Sequence, residues 1–246
     1  MTWALTSSVA ADPARCHALV RAAVNGDETA VKRLIRRPDV DVNFFGEIND
    51  WTALFSALYY DHQRVVQLLV EHPNVDVNKP TRLGYTPLCT AGQKGNADCV
   101  GLLLAHPQIK VNKATNDGVT PLYIASQEGH DDCISLLLAH PQIDVNKANN
   151  KGVTPLYIAG EEGHDACVSL LLAHPQIEVN KASDAGLTPL ITASYYGHLE
   201  VVKQLLNDPK IDVNVRDNDG DTALDCARNE GHTEIVSVIR ARSRRF

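Results

Sequence analysis

Residues 120–122 read Thr-Pro-Leu, and this phrase returns along the chain at a constant interval. The same three residues stand at 86–88, 154–156 and 188–190, so each copy begins 34 residues after the one before it. A fixed period of tens of residues indicates a stack of repeated units rather than a globular domain with one active cleft. The pattern therefore favours binding over catalysis.

Each repeat begins with residues that predict a short helix. Thr120 suits the N-cap, and Pro121 suits the first helical position because its missing N–H would be unpaired there in any case. Gly129 can take the left-handed conformation that ends a helix. The sequence therefore predicts a first helix over about residues 121–128.

A second helix and a long loop complete the repeat. Asp131 and Asp132 favour a helix start, because carboxylates stabilise the positive end of the helix dipole. The apolar run 133–138 can pack against several neighbours at once, and Pro141 ends the helix. Residues 144–146, Asp-Val-Asn, are typical of a turn. Helices shorter than about 12–15 residues are marginal in water, so we expect stacking to stabilise them.

These residues together resemble the ankyrin repeat. The resemblance rests on Gly118-x-Thr120-Pro121-Leu122, Ala125, Gly129-His130, Leu136-Leu137-Leu138 and Asp144-Val145-Asn146. The usual period of that family is 33 residues, and the additional residue here is expected in the turn after the second helix. The resemblance implies an all-α fold, an ankyrin-repeat solenoid of stacked helix-turn-helix units with projecting β-turn loops.

The resemblance also divides the chain. We expect an N-terminal extension at 1–13, an ankyrin repeat domain at 14–240 and a basic C-terminal tail at 241–246. Seven repeats are expected, starting near residues 14, 46, 81, 115, 149, 183 and 217. The end repeats match less well, which is expected of caps that expose one face to water. The repeats at 115–148 and 149–182 share 27 of 34 residues, which is typical of a recent duplication or a consensus-like design.

Composition and charge limit the kinds of partner and the cellular compartment that we expect. The formal net charge of −7 argues against nucleic acid, which is bound by basic stripes. No apolar run approaches the roughly 20 residues of a membrane span, and residues 1–13 do not resemble a secretory signal. We therefore expect a cytoplasmic protein, with the nucleus as the alternative compartment. The basic run of Arg240, Arg242, Arg244 and Arg245 is interpreted as a solvated terminus, with an anionic contact or sorting signal as the alternative.

Cys99, Cys133 and Cys167 recur at one repeat position. Neighbours in such a ladder lie one helix-packing distance apart, about 8–10 Å, whereas the Cα atoms of a disulfide are usually about 4.4–6.8 Å apart. We expect buried, reduced thiols.

Histidines form two similar ladders. One contains His62, His130, His164, His198 and His232, and the other contains His72, His106, His140 and His174. Ladder members lie too far apart to share a metal ion. The resemblance implies that the Gly-His histidine braces neighbouring turns, and no metal site is expected.

Motifs of catalysis are missing from the sequence. It contains no glycine-rich phosphate loop, no Cys-x-x-Cys pair and no Gly-x-Ser-x-Gly elbow. The paired acids at 131–132 and 161–162 are adjacent on their helices and do not face each other. We expect no enzyme, no catalytic residue and no cofactor.

Positions that vary between repeats are candidates for binding. One position precedes the repeated threonine, and the other is the pair that closes the first helix. The resemblance implies that both line a concave groove. The candidate partner-binding residues are Trp51, Tyr59, Tyr60, Tyr85, Gln93, Lys94, Gln127, Glu128, Glu161, Glu162, Leu187, Tyr195 and Tyr196.

These candidates form an aromatic cluster, an acidic middle and a second aromatic patch. Aromatic side chains are favoured interface anchors, and carboxylates steer and select partners. We expect a protein or an extended peptide with apolar anchors flanking basic residues, bound by a monomer. In the alternative interpretation, Tyr59 and Tyr195 pack within the stack and the acids form a solvated face.

The leading interpretation is a non-catalytic interaction module: an adaptor, an inhibitor or a targeting subunit. A consensus-like scaffold or repeat fragment without its own ligand remains an alternative. A substrate of an asparaginyl hydroxylase is another, because the resemblance marks the repeated asparagines as hydroxylation positions. These are Asn78, Asn112, Asn146, Asn180 and Asn214. The simpler hypothesis is that each asparagine caps its turn through side-chain hydrogen bonds.

Overall fold

A computed structural model describes residues 10–46 and 50–243 of the chain. Within these ranges all regular elements are α-helices, and no strand is found there. The chain divides into two compact parts, an N-terminal unit at 1–110 and a C-terminal unit at 111–246. The all-α fold class expected from the repeats is confirmed.

The N-terminal unit contains three helical hairpins. Its helices are α1 (Pro13–Val24), α2 (Glu28–Leu34), α3 (Ala53–Tyr59), α4 (Gln63–Val70), α5 (Pro87–Lys94) and α6 (Ala97–Leu104). The first helix of each hairpin packs on its own second helix. First helices also pack on first helices, α1 on α3 and α3 on α5, while α2, α4 and α6 form a second layer.

The C-terminal unit contains four hairpins with the same packing. Its helices are α7 (Pro121–Gln127), α8 (Asp131–Leu138), α9 (Pro155–Glu161), α10 (Asp165–Leu172), α11 (Pro189–Tyr196), α12 (Leu199–Asn207), α13 (Ala223–Asn229) and α14 (Thr233–Ser243). The odd-numbered helices form one layer and the even-numbered helices form the other. The stacking expected from the short helix lengths is present in this unit.

The cap chemistry of the repeat is confirmed. Thr120 accepts a hydrogen bond from the Tyr123 amide at 3.1 Å, and Pro121 occupies the first helical position. Gly129 is left-handed, with φ at 75°. The first helix ends one residue earlier than predicted, since Glu128 is its C-cap.

Helices α1 and α14 lie at the two ends of the expected repeat domain. Helix α1 begins at Pro13, where Asp12 caps it through the Ala14 amide. Helix α14 extends to Ser243, past the expected start of the tail at residue 241. Arg244 and Arg245, like residues 1–9, lie outside the described residues.

Leucines and cysteines at fixed repeat positions form the core. Leu122 and Leu156 on first helices, and Leu137 and Leu171 on second helices, are almost completely removed from water. Cys99, Cys133 and Cys167 at one repeat position are buried, as are Cys16, Cys89 and Cys226 on first helices, and none of the six forms a disulfide. The expectation of buried, unbridged cysteines is confirmed.

Asparagine side chains join consecutive repeats. Asn146 donates from Nδ2 to the carbonyl of Gln176 at 2.7 Å, and its Oδ1 accepts from the Glu178 amide at 2.9 Å. Asn43, Asn78, Asn112 and Asn180 make the corresponding pair of bonds. The predicted side-chain hydrogen bonds of the asparagine are present, and they are made to the loop of the next repeat instead of the turn that contains the asparagine. At that turn Asp144 accepts from the Asn146 amide, so the asparagine side chain remains available for the next repeat.

Histidines brace the same stacks, as expected. His164 Nε2 donates to the carbonyl of Gln127 at 3.0 Å, and His198 Nε2 donates to the carbonyl of Glu161 at 2.8 Å. The ring of His198 lies so close to Gly163 that an added Cβ would be 2.5 Å from Nδ1. Gly163 also has a φ of +75°, so glycine is required there for two reasons.

Histidines of the second ladder have a local role. His140 Nδ1 accepts from the Gln142 amide at 3.2 Å, and His174 Nδ1 accepts from the Gln176 amide at 3.3 Å. These bonds hold the turn that follows each second helix.

Candidate functional site

Three candidate residues of the N-terminal unit form an aromatic cluster, called here the N-terminal aromatic patch: Trp51, Tyr59 and Tyr60. The ring centroid of Trp51 lies 4.6 Å from that of Tyr59 and 6.4 Å from that of Tyr60. The two tyrosine rings are 5.2 Å apart and nearly perpendicular. Such edge-to-face contacts stabilise an aromatic group while leaving part of its surface free. Tyr59 and Tyr60 remain 38% and 47% exposed.

Lys94 places its ammonium group on this patch. Its Nζ lies 4.1 Å from the centroid of the Tyr59 ring, which is within the range of a cation–π contact. Lys94 ends α5 and Tyr59 ends α3, so the contact joins neighbouring first helices. Both residues are sequence candidates, but their contact was not predicted. Tyr85 and Gln93, the other candidates of this unit, are half-buried.

Helix α1 forms one wall of a hollow beside the N-terminal aromatic patch, and the sequence did not predict this wall. Trp51 and Tyr60 line a hollow of about 550 Å³ together with His17, Val20 and Arg21 of that helix. The first repeat lacks the Thr-Pro-Leu phrase, so its residues could not be aligned by phase with the variable positions of the other repeats.

Tyr195 and Tyr196 form the C-terminal aromatic patch at the end of α11. Their rings lie 5.1 Å apart and nearly perpendicular, and the ring of His198 stacks on Tyr196 at 6.3 Å. The residues at the same phase in the N-terminal unit, ending at His62, repeat this arrangement with distances of 5.2 and 6.4 Å. Tyr195 is 47% exposed and Tyr196 is 51% exposed. The interpretation that Tyr59 and Tyr195 pack away inside the stack is not supported by these exposures.

The acidic middle and the second aromatic patch are joined in the structure. The hydroxyl of Tyr196 donates to the carboxylate of Glu161, which is half-buried at the end of α9. Burial raises the pKa of Glu161, the tyrosine hydrogen bond opposes that shift, and the charge of Glu162 adds to it. Glu162 and Glu128 are exposed, and Gln127 is half-buried.

Two further tyrosines, Tyr123 and Tyr157, lie close enough to Glu161 to be affected by its charge, and they were not predicted as site residues. Burial and the charge of Glu161 raise the pKa of Tyr123 to about 12. Burial likewise raises the pKa of Tyr157, although a hydrogen bond with Thr192 opposes the shift. Both are buried, and their repetition at one phase is typical of structural positions.

A second hollow, here called the acidic hollow, has a volume of about 400 Å³ and lies within the C-terminal unit. It brings together four of the candidates: Glu161, Leu187, Tyr195 and Tyr196. The remaining lining residues are Tyr157, Thr192, Asp217, Asp219, Asp221, Cys226, Asn229 and Glu230.

Sequence reasoning missed the aspartates at this hollow. The position of Asp219 is occupied by Asp117, Lys151 and Ala185 in the preceding repeats. That variation in charge was the available signal, because it resembles the variation at the positions that were selected.

Metal-ligand clusters and membrane-spanning helices are both absent from the described part of the chain. No group of three or more His, Cys, Asp or Glu side chains is arranged there to hold a metal ion. No helix in residues 10–46 or 50–243 has the length and apolar character needed to cross a bilayer.

Comparison with known proteins identifies the family. Two family models match, described as Ankyrin repeats (3 copies) over residues 19–115 and 105–183 and as Ankyrin repeats (many copies) over residues 170–227. The chain therefore belongs to the ankyrin repeat family, a fold that generally serves as a protein-binding module.

Solved structures show the same fold. The ankyrin repeat domain of Bcl-3, described as a unique member of the IkappaB protein family, is 26% identical with a TM-score of 0.79. That match covers 90% of this chain and 97% of the Bcl-3 chain. The ankyrin repeat protein EF0377 is 28% identical with a TM-score of 0.71, and the match covers 76% of this chain and 96% of the EF0377 chain.

Proposed function

We propose that this protein is a non-catalytic interaction module: an adaptor, an inhibitor or a targeting subunit. It binds a protein or an extended peptide through the faces formed by its first helices and loop tips. The observation that carries this proposal is the pair of solvent-exposed tyrosine patches at equivalent positions in the two compact units. Large exposed aromatic side chains are costly to leave in water and are frequent interface anchors.

The acidic residues of this protein indicate which charge the proposed partner carries. Glu128 and Glu162 are exposed at the C-caps of α7 and α9, and Glu161 is hydrogen-bonded to Tyr196 of the C-terminal aromatic patch. Carboxylates between apolar anchors favour a partner in which apolar anchors flank basic residues. We propose that the protein acts as a monomer in the cytoplasm or nucleus, without a cofactor, and that it does not bind nucleic acid.

The hydroxylase-substrate alternative has less support. The side-chain amide of Asn146 is bonded at both ends to the next repeat. An enzyme that modifies this side chain would first have to open the loop, which costs both of those hydrogen bonds.

Quantitative affinity capture from a native-host lysate tests the function. Wild type is compared with a Tyr195→Ala/Tyr196→Ala variant and with a Glu200→Ala control on the exposed side of α12. Each protein is first shown to be folded by circular dichroism. We expect one or more proteins retained by wild type and the control to be lost by the double variant.

The captured protein is then purified and its affinity is measured. Loss of a central aromatic anchor typically costs about 2 kcal/mol or more, close to a thirtyfold change in Kd. Unchanged affinity for the folded double variant would remove the C-terminal aromatic patch from the binding site. Failure of wild type to bind the purified protein directly would contradict the proposed module.

A further inference from the structure

The acidic hollow has an unusual balance of charge. Five of its lining residues are carboxylates, and the described residues that line it include no lysine or arginine. Three tyrosines, from α9 and α11, supply aromatic surface beside these acids. A cavity with carboxylates and aromatic rings matches a cation in two ways, through opposite charge and through the negative faces of the rings.

Two of the acids already have partners within the protein. One oxygen of Asp217 accepts from the amides of Asp219 and Asp221, at 3.0 and 2.9 Å, and so holds the loop tip. Glu161 accepts from the hydroxyl of Tyr196. The carboxylates of Asp219, Asp221 and Glu230 are the ones placed to meet an incoming group, since Asp219 and Glu230 are exposed and Asp221 is half-buried.

The thiol of Cys226 lies in the negative electrostatic field of the carboxylates that line the hollow. Burial raises its pKa to about 11, and the charges of Asp217 and Asp221 contribute to the shift. A positive charge entering the hollow would lie in a field that these carboxylates already generate.

The N-terminal unit contains an internal example of such binding. Tyr59 and Tyr195 each lie seven residues after the threonine that caps their helix, so they occupy the same phase. In the N-terminal unit, the following repeat contributes Lys94, whose ammonium lies over the Tyr59 ring. The residue at the phase of Lys94 in the repeat that follows Tyr195 is Glu230. The N-terminal unit thus supplies its own cation at this phase, whereas the C-terminal unit has a carboxylate there, in the hollow that Tyr195 also lines.

We propose that the acidic hollow binds a basic side chain, lysine or arginine, from the partner's peptide. The cation lies against the Tyr195 ring and is neutralised by Glu230, Asp219 and Asp221. It takes the place beside the tyrosine that Lys94 takes within the N-terminal unit. This inference rests on the proposed function and adds to it the place at which a basic residue is recognised.

Solution NMR of the isotope-labelled full chain tests the proposal without an identified partner. The probes are arginine and lysine blocked at both ends, and the neutral comparison compounds are blocked citrulline and norleucine. We expect the two cations to shift the amide signals of residues 187–197 and 217–230 in the millimolar range. The neutral compounds should not produce these shifts, and added salt should weaken the binding of the cations.

Two charge-reversed variants provide the matched comparison. Glu230→Lys inserts the cation that the N-terminal unit uses, and is expected to weaken binding of blocked arginine about tenfold or more. Glu200→Lys makes the same charge change on α12, outside the lining of the hollow, and should retain most of the binding. Equal loss in both variants would indicate a net-charge effect and would overturn the proposal.

Other results would also overturn it. These are equal shifts with the neutral compounds, or no shift in the named segments at millimolar cation. If the cation fails to bind while a captured protein still depends on Tyr195 and Tyr196, the inference is wrong and the proposed function stands. If the cation binds and wild type binds no captured protein directly, the inference stands and the proposed function is contradicted.

Discussion

At the scale of the residue, Asn146 shows how one side chain joins two repeats. It satisfies a carbonyl and an amide of the following loop that would otherwise need water. We expect Asn146→Ala to lower the free energy of unfolding by about 1–3 kcal/mol, because both backbone groups lose a partner. Urea denaturation measures this change. Asn207→Ala, at an exposed helix end, is the control and should lie within about 0.5 kcal/mol of wild type. Equal effects of the two variants would contradict the linking role of Asn146.

Cysteine thiols give a second prediction at this scale. Burial raises the pKa of the Cys133, Cys167 and Cys226 thiols to about 11. In the unfolded chain a thiol loses its proton near pH 8.5. Between about pH 8.5 and 11 the folded state therefore binds more protons than the unfolded state, so stability falls as pH rises.

Urea denaturation at a series of pH values tests this dependence. We expect the free energy of unfolding to fall above about pH 8.5, and the fall to be shallower when Cys133, Cys167 and Cys226 are replaced by alanine. The same slope in the triple variant would show that other groups cause the alkaline loss of stability.

At the scale of the element, each first helix depends on its threonine cap. Thr154 is almost completely buried, and its hydroxyl accepts from the Tyr157 amide at 3.1 Å at the start of α9. Thr154→Ala should lower the free energy of unfolding by about 1–2 kcal/mol, because the Tyr157 amide loses its hydrogen-bond acceptor at a buried position. Thr154→Ser retains the hydroxyl and should recover most of the loss. Calorimetry or denaturant titration distinguishes the two, and equal losses would assign the effect to the methyl group instead of the cap.

Helix bounds were predictable from sequence because caps act locally. Thr120, Pro121 and Gly129 are enough to place the start of α7 and to place its end within one residue. Contacts between repeats were not predictable in the same way. Lys94 meets Tyr59, and Tyr196 meets Glu161, because of the offset between stacked first helices. The 34-residue period shows which positions are equivalent, but it does not specify that offset.

At the scale of the whole molecule, the period predicted the family and the all-α fold, while the candidate site could be predicted only in part. Tyr195, Tyr196 and Glu161 were selected because they vary between repeats, and the structure brings them to one hollow. Asp217 and Asp219 were missed because they lie at a loop tip whose residues were interpreted only as typical of a turn. Variation in charge at loop tips is therefore as informative as variation on the helices.

Hydroxyl-radical footprinting of the protein, free and bound to its captured partner, tests the central claim most directly. Tyrosine and leucine side chains are labelled according to their exposure to water. Tyr195 and Tyr196 on α11 should lose labelling in the complex, because the proposed binding face includes them. Leu136 on α8 is 37% exposed in the other helix layer and should keep its labelling. Protection of Leu136 with both tyrosines still labelled would place the partner on the opposite face and contradict the account.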